Sequence, residues 1–152
     1  MVVDFVNDQR QERVYLERMR RLSRCVIRRL KIKTPGRLTV AFIDDRKMRR
    51  LNKQFLSHDW PTDVLSFRYP GDETGRSGKA LQEPVIGEIL IAPSRAKAFS
   101  KRLSAPYTEE LSRYLIHGLL HWLGYEDQTA QQQKQMRQRE DRLLRSCGVK
   151  KR

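Results

Sequence analysis

The chain has 152 residues, 38% of them apolar, enough for one domain with a buried core and too many for wholesale disorder. No apolar run approaches the roughly 20 residues of a membrane helix, and the opening MVVDFVNDQRQER carries acids early, without the basic-then-apolar order of a signal peptide. A soluble cytoplasmic protein with no membrane partner is expected. The 32 Lys and Arg against 18 Asp and Glu give a formal charge of +14, and such a surface attracts polyanions, because each neutralised phosphate releases condensed counterions.

Residues 1–7 set Val3 and Phe5 against Asp4 and Asn7 and read as an edge strand. Residues 10–30 read as an amphipathic helix, with Tyr15, Met19, Leu22, Val26 and Leu30 recurring at three and four and arginines filling the other face. Ten basic residues and two acids lie between Arg10 and Lys33, and Arg46, Lys47, Arg49, Arg50 and Lys53 form a second cluster. Either cluster alone reads equally well as a solvated helix face or as a polyanion-binding surface; with the whole chain so basic, nucleic acid is the better reading. Pro35-Gly36 is a turn, Leu38–Ile43 a strand, and Asp44 or Asp45 caps a helix to about Phe55 with Met48 and Leu51 facing inward. Asp63–Phe67 is a short strand, residues 69–84 a long Pro- and Gly-bearing loop, and Val85–Ala92 a strongly apolar strand. Pro93 suits the start of a helix that runs from Ser94 to about Leu103. A further helix begins near Thr108, reaches about Leu123 and stops at Gly124; a Gln-rich one spans Thr129 to Ser146 and ends at Gly148. The order β-α-β-α-β-β-α-α-α argues one mixed α/β domain. Cys25 and Cys147 belong to no C-x-x-C pair, so two buried free thiols in a reducing compartment are expected.

The chemistry concentrates in residues 114–127. This helix is apolar nearly all round and is expected to be central, yet it carries His117 and His121 one turn apart on one face. Buried imidazoles need partners for their nitrogens. Two hydrogen-bonded histidines are the plain reading of H-x-x-x-H alone, but here it extends to H-x-x-x-H-x-x-G-x-x-D, close to the H-E-x-x-H-x-x-G-x-x-H zinc pattern. A left-handed Gly124 turns the chain so that Asp127 returns to the histidine face. Two imidazoles, one carboxylate and an open position describe a catalytic metal site. Gly118 stands where a zinc protease has its general-base glutamate, so the protease mechanism loses its base. Gly118 either gives a large substrate room or permits close helix packing.

The run His117-Gly-Leu-Leu-His121-Trp-Leu-Gly-Tyr125 resembles the H-G-x-L-H-x-x-G-Y-D-H signature of the YbeY endoribonucleases. Leu51-Asn52 with Asp59-Trp-Pro-Thr-Asp-Val-Leu-Ser-Phe67 is similar to that family's L-N…D-x-P-T-D-V-L-S-F block, and Gly87-Glu-Ile-Leu-Ile91 to its G-D-I-x-I strand. The resemblance covers essentially the whole chain. It implies an α+β fold, residues 1–152 forming one domain with a four-stranded mixed sheet and helices around a central His-bearing helix. It further implies one Zn²⁺ held by the signature, cleavage of single-stranded RNA, and work on 16S ribosomal RNA 3′ ends and ribosome quality control at the small subunit. The sequence departs from the pattern at four positions. Asp127 takes the place of the third histidine and Glu126 that of the aspartate before it. Leu56 falls where the family has an arginine linked to catalysis, and Arg68 replaces a proline and is a candidate RNA contact in the arginine's stead.

The metal ligands expected are therefore His117, His121 and Asp127, with no general base assigned. Asp63 and Glu88 are candidates to orient a ligand histidine, Asp63 serving equally well as a strand-start residue. Trp122 and Tyr125 read as core, or alternatively as base-stacking groups. Two other functions compete: a non-catalytic RNA-binding assembly factor with a structural metal, favoured by Leu56, and a metallohydrolase such as a protease, disfavoured by Gly118 and the charge.

Overall fold

The computed structural model describes residues 1–56, 63–69 and 84–148. The expected long loop, His58, the Asp59–Thr62 part of the matched block and the side chain of Leu56 lie outside the described residues. Among the described residues nine elements follow in chain order: β1 (Val2–Asp8), α1 (Leu16–Arg29), β2 (Arg37–Ile43), α2 (Asp45–Leu56), β3 (Val64–Arg68), β4 (Val85–Ile91), α3 (Pro93–Leu103), α4 (Tyr107–Trp122) and α5 (Ala130–Cys147).

The strands form one mixed sheet in the order β1-β2-β4-β3. β1 and β4 flank β2 in parallel, and β3 closes the other edge antiparallel to β4. β4 is interior and covered on both faces, which is why its sequence is nearly continuous in apolar residues. Ile89 and Ile91 join Val40, Phe42 and the α4 residues Leu115, Leu119 and Leu120 on one side. Leu90 joins Ile43, Leu65 and Met48 of α2 on the other. α4 lies at the centre of the first layer, against β3 and β4 and touching α1, α3 and α5.

Local chemistry sets the helix ends. Asp44 Oδ1 accepts from the Lys47 backbone N–H at 2.8 Å and so caps α2. Pro93 occupies the first turn of α3. Thr129 and Gln132 form a reciprocal capping box at the start of α5. α1 begins at Leu16, six residues later than its amphipathic pattern suggests. Gln9 accounts for the delay: its amide donates to Asn7 Oδ1 and to the Glu12 carbonyl, both at 2.8 Å, and its oxygen accepts from the Glu12 N–H. Those side-chain bonds give residues 9–12 an alternative to the helical ladder. Tyr15 accordingly sits at the N-cap, exposed, rather than on the inward stripe.

The two cysteines also depart from expectation. They are not free: Cys25 of α1 and Cys147 at the end of α5 are disulfide-bonded across a sequence separation of 122, with Cα atoms 5.7 Å apart. Both helices pack on α4 and on each other, which brings the thiols together; linear spacing carries no trace of that proximity.

Candidate metal centre

α4 is an apolar helix that carries a polar stripe of Glu110, Arg113 and His117, with His121 one turn beyond. Gly118 faces the sheet. A Cβ there would meet Ile89 Cγ2 at 2.6 Å and Val64 Cγ1 at 3.1 Å, so its lack of a side chain serves close helix-to-sheet packing rather than substrate access. Its carbonyl accepts from Ser66 Oγ at 2.9 Å. Trp122 is core, 2% exposed, with Nε1 donating to the Ile86 carbonyl. Tyr125, by contrast, is at the surface with the Arg139 guanidinium 4.5 Å from its ring centre, so of the two aromatics only Tyr125 is placed to meet a ligand.

The chain reverses after Trp122 as the spacing suggested. Gly124 adopts φ +107°; its N–H donates to the His121 carbonyl and the Tyr125 N–H to the Leu120 carbonyl, the paired bonds of a left-handed helix stop. Asp127 is thereby brought back across the end of the helix. Its Oδ2 lies 3.4 Å from His117 Nε2 and its Oδ1 3.2 Å from His121 Nε2. Donor atoms of the three residues all lie within 4.8 Å of one another. Zinc held tetrahedrally at about 2.0–2.1 Å sets its ligand atoms about 3.3 Å apart, so the spacing fits a single ion. The three side chains are 25–34% exposed, leaving a side open to solvent.

The partner on the far side of His117 strengthens the fit. Nδ1 lies 2.5 Å from Oε2 of Glu140 on α5, a carboxylate only 4% exposed. Arg113 donates to Glu140 Oε1 at 3.1 Å and to Asp141 Oδ1 at 2.8 Å. A carboxylate on Nδ1 demands a proton there, which leaves the Nε2 lone pair of a neutral ring aimed at the Asp127 oxygens. That juxtaposition suits a metal ion between them.

Glu140 was not legible in advance, although a signal existed: Met136, Glu140, Leu143 and Cys147 recur on the inward face of α5, and a glutamate on an apolar stripe is out of place without a buried partner. The two carboxylates expected to orient a histidine are used elsewhere. Asp63 pairs with Arg95 at 3.5 Å and bonds Tyr114, whose hydroxyl pKa is raised by burial and then by Asp63; Glu88 accepts from Tyr69 Oη at 2.9 Å. Arg68, at the end of β3, donates to the Trp122 carbonyl at 3.3 Å and lies over its ring. It thus holds the C-terminal end of the ligand-bearing helix, where a cation is favoured.

Fold and site together define an α+β protein that presents a two-histidine, one-carboxylate group suited to a metal ion, on a buried helix. Residues 4–148 match the family described as endoribonuclease YbeY. An endoribonuclease YbeY of Flavobacterium psychrophilum is 35% identical over 118 residues, 78% of this chain and 77% of the relative. One from Bacillus thuringiensis is 27% identical over 154 residues, covering 98% and 97%. A solution structure of a Thermotoga maritima protein superposes with a TM-score of 0.63 at 20% identity, covering 96% of this chain and 89% of that one, a likeness of fold. The chain belongs to the YbeY endoribonuclease family.

Proposed function

We propose that the chain, acting as one domain over residues 1–152, is a zinc-dependent endoribonuclease that cuts single-stranded RNA in the cytoplasm. Its task in this reading is 16S ribosomal RNA 3′-end maturation and ribosome quality control at the small subunit. The observation that carries the reading is the convergence of His117, His121 and Asp127, whose ligand atoms lie within 4.8 Å of one another, with Asp127 oxygens 3.4 and 3.2 Å from the two Nε2 atoms. Held by His117, His121 and Asp127, zinc would supply Lewis-acid chemistry toward a phosphodiester. Asp127 brings a negative charge where the family signature has a neutral imidazole, which weakens that acidity.

The rest of the work falls to the protein's own groups. Arg20, Arg21, Arg24, Arg28 and Arg29 of α1 and Arg46, Lys47, Arg49, Arg50 and Lys53 of α2 are exposed, and they supply the positive surface that holds a phosphate backbone. Arg68 is exposed at the end of β3 and is the arginine assigned to RNA beside the ligand-bearing helix. Tyr125 offers a stacking face. No helix among the described residues is long and apolar enough to cross a membrane.

Leu56, standing where the family has an arginine, favours a second reading: an RNA-binding assembly factor with a structural metal. One experiment separates the two. Metal content and cleavage of a single-stranded RNA are measured on wild type, His117→Ala and Asp127→Ala. The proposal expects about one zinc per wild-type chain, lost together with cleavage in both variants. Metal without cleavage by wild type supports the assembly factor; RNA binding by a metal-free wild type rejects the metal centre.

A further inference from the structure

Around the histidines the structure places a second set of charges that neither the family signature nor the ligand set accounts for. Glu140 reaches from α5 to the back of His117, 23 residues away in sequence, with one carboxylate oxygen on Nδ1 and the other on Arg113. Arg113 lies one turn before His117 on α4, its side chain 11% exposed, and is further engaged by Asp141 and by Glu110 at 3.5 Å. Burying a carboxylate is costly unless it is paired and hydrogen-bonded; Glu140 is both.

From this geometry we infer that Glu140, held by Arg113, is a positioning residue of the metal centre. It locks His117 as the Nδ1–H tautomer, so that Nε2 presents its lone pair beside His121 and Asp127. The role rests on the metal reading above. A carboxylate behind a ligand imidazole fixes ring orientation and raises basicity, and here the carboxylate comes from a different helix. α5 thereby becomes part of the site although it supplies no ligand. Arg113 sets the angle of the carboxylate and balances its charge.

The full chain contains three histidines, His58, His117 and His121, so imidazole nitrogen signals are assignable with one substitution each. Zinc affinity is measured by competition with a chromophoric chelator for wild type, Glu140→Gln and Glu140→Ala. The His117 tautomer is read by long-range ¹⁵N–¹H spectra on the metal-stripped proteins at about pH 8, where an ordinary imidazole is neutral. Glu140→Ala is expected to weaken zinc by about 10–100-fold and to shift His117 away from the Nδ1–H form. Glu140→Gln, whose amide oxygen still accepts from Nδ1–H, is expected to keep the tautomer and bind with intermediate affinity. Glu140→Ala that binds within about twofold of wild type with its tautomer unchanged overturns the role, because loss of a histidine-orienting partner costs far more than that. Weakened binding with an unchanged tautomer also overturns it, since that pattern reports only a loosened α5. Wild type that takes up no divalent metal overturns the metal reading itself, a result distinct from either.

Discussion

Glu110 is a buried carboxylate beside the site, and its ionisation has a cost. Burial raises its pKa, against the pull of Arg113 and Arg137 and with a further push from Glu109 and Glu140. A folded-state pKa above the unfolded value means that the fold binds the proton more tightly. The stabilising contribution of that proton is full below the ordinary value of 4.5 and is lost as pH rises through the raised one. Glu110→Gln mimics the protonated form, so its gain over wild type in urea unfolding should be largest near pH 7 and shrink toward about pH 4. A gain that grows on acidification would show that Arg113 wins over burial. The same residue scale explains what could be read in the sequence. His117, His121 and Asp127 lie within eleven residues of one another on a helix and its stop, where periodicity and one glycine fix the geometry. Glu140 meets His117 only through packing of α5 on α4, and no local rule announces such a pair.

Elements with strong periodicity and clear end signals fell where their sequences put them. α4 ends at its glycine, α5 starts at its threonine, and β4 reads as the buried strand it is. α1 shows the limit of periodicity: an arginine-rich stripe continues upstream of Leu16, but the Gln9 side chain bonds both the N–H and the carbonyl of Glu12 and holds that stretch out of the helix. α5 depends on its cap. Thr129 Oγ accepts from the Gln132 N–H at 3.1 Å, and Gln132 Oε1 accepts from the Thr129 N–H at 3.1 Å. Thr129→Ala should lower unfolding free energy by about 1 kcal/mol in urea titration, with an unchanged slope, because the exposed surface is the same. A loss below a few tenths would mean that tertiary contacts, not the cap, hold the first turn.

At the scale of the molecule, the sequence reading of the fold class survives and that of the cysteines does not. The alternation of elements dictates a mixed sheet with helices on it, whereas the Cys25–Cys147 bond depends on where α1 and α5 meet in space. Closing a loop of this length restricts the unfolded chain, an effect typically worth about 2–4 kcal/mol. Reduction, or Cys25→Ser with Cys147→Ser, should therefore lower Tm by roughly 5–15 °C for a chain of this size. Equal melting of the oxidised and reduced forms would show that packing alone joins the helices.

The same bond changes the covalent topology of the polypeptide. Residues 25–147 form a closed macrocycle. A peptide bond cut anywhere inside it opens the ring without dividing the molecule: both fragments stay attached through sulfur, and the nicked species keeps the mass of the intact chain plus one water. Only a reductant separates them. Proteolytic damage inside the ring thus leaves the fragments joined, betrayed by the mass of a single water, until the two sulfurs part.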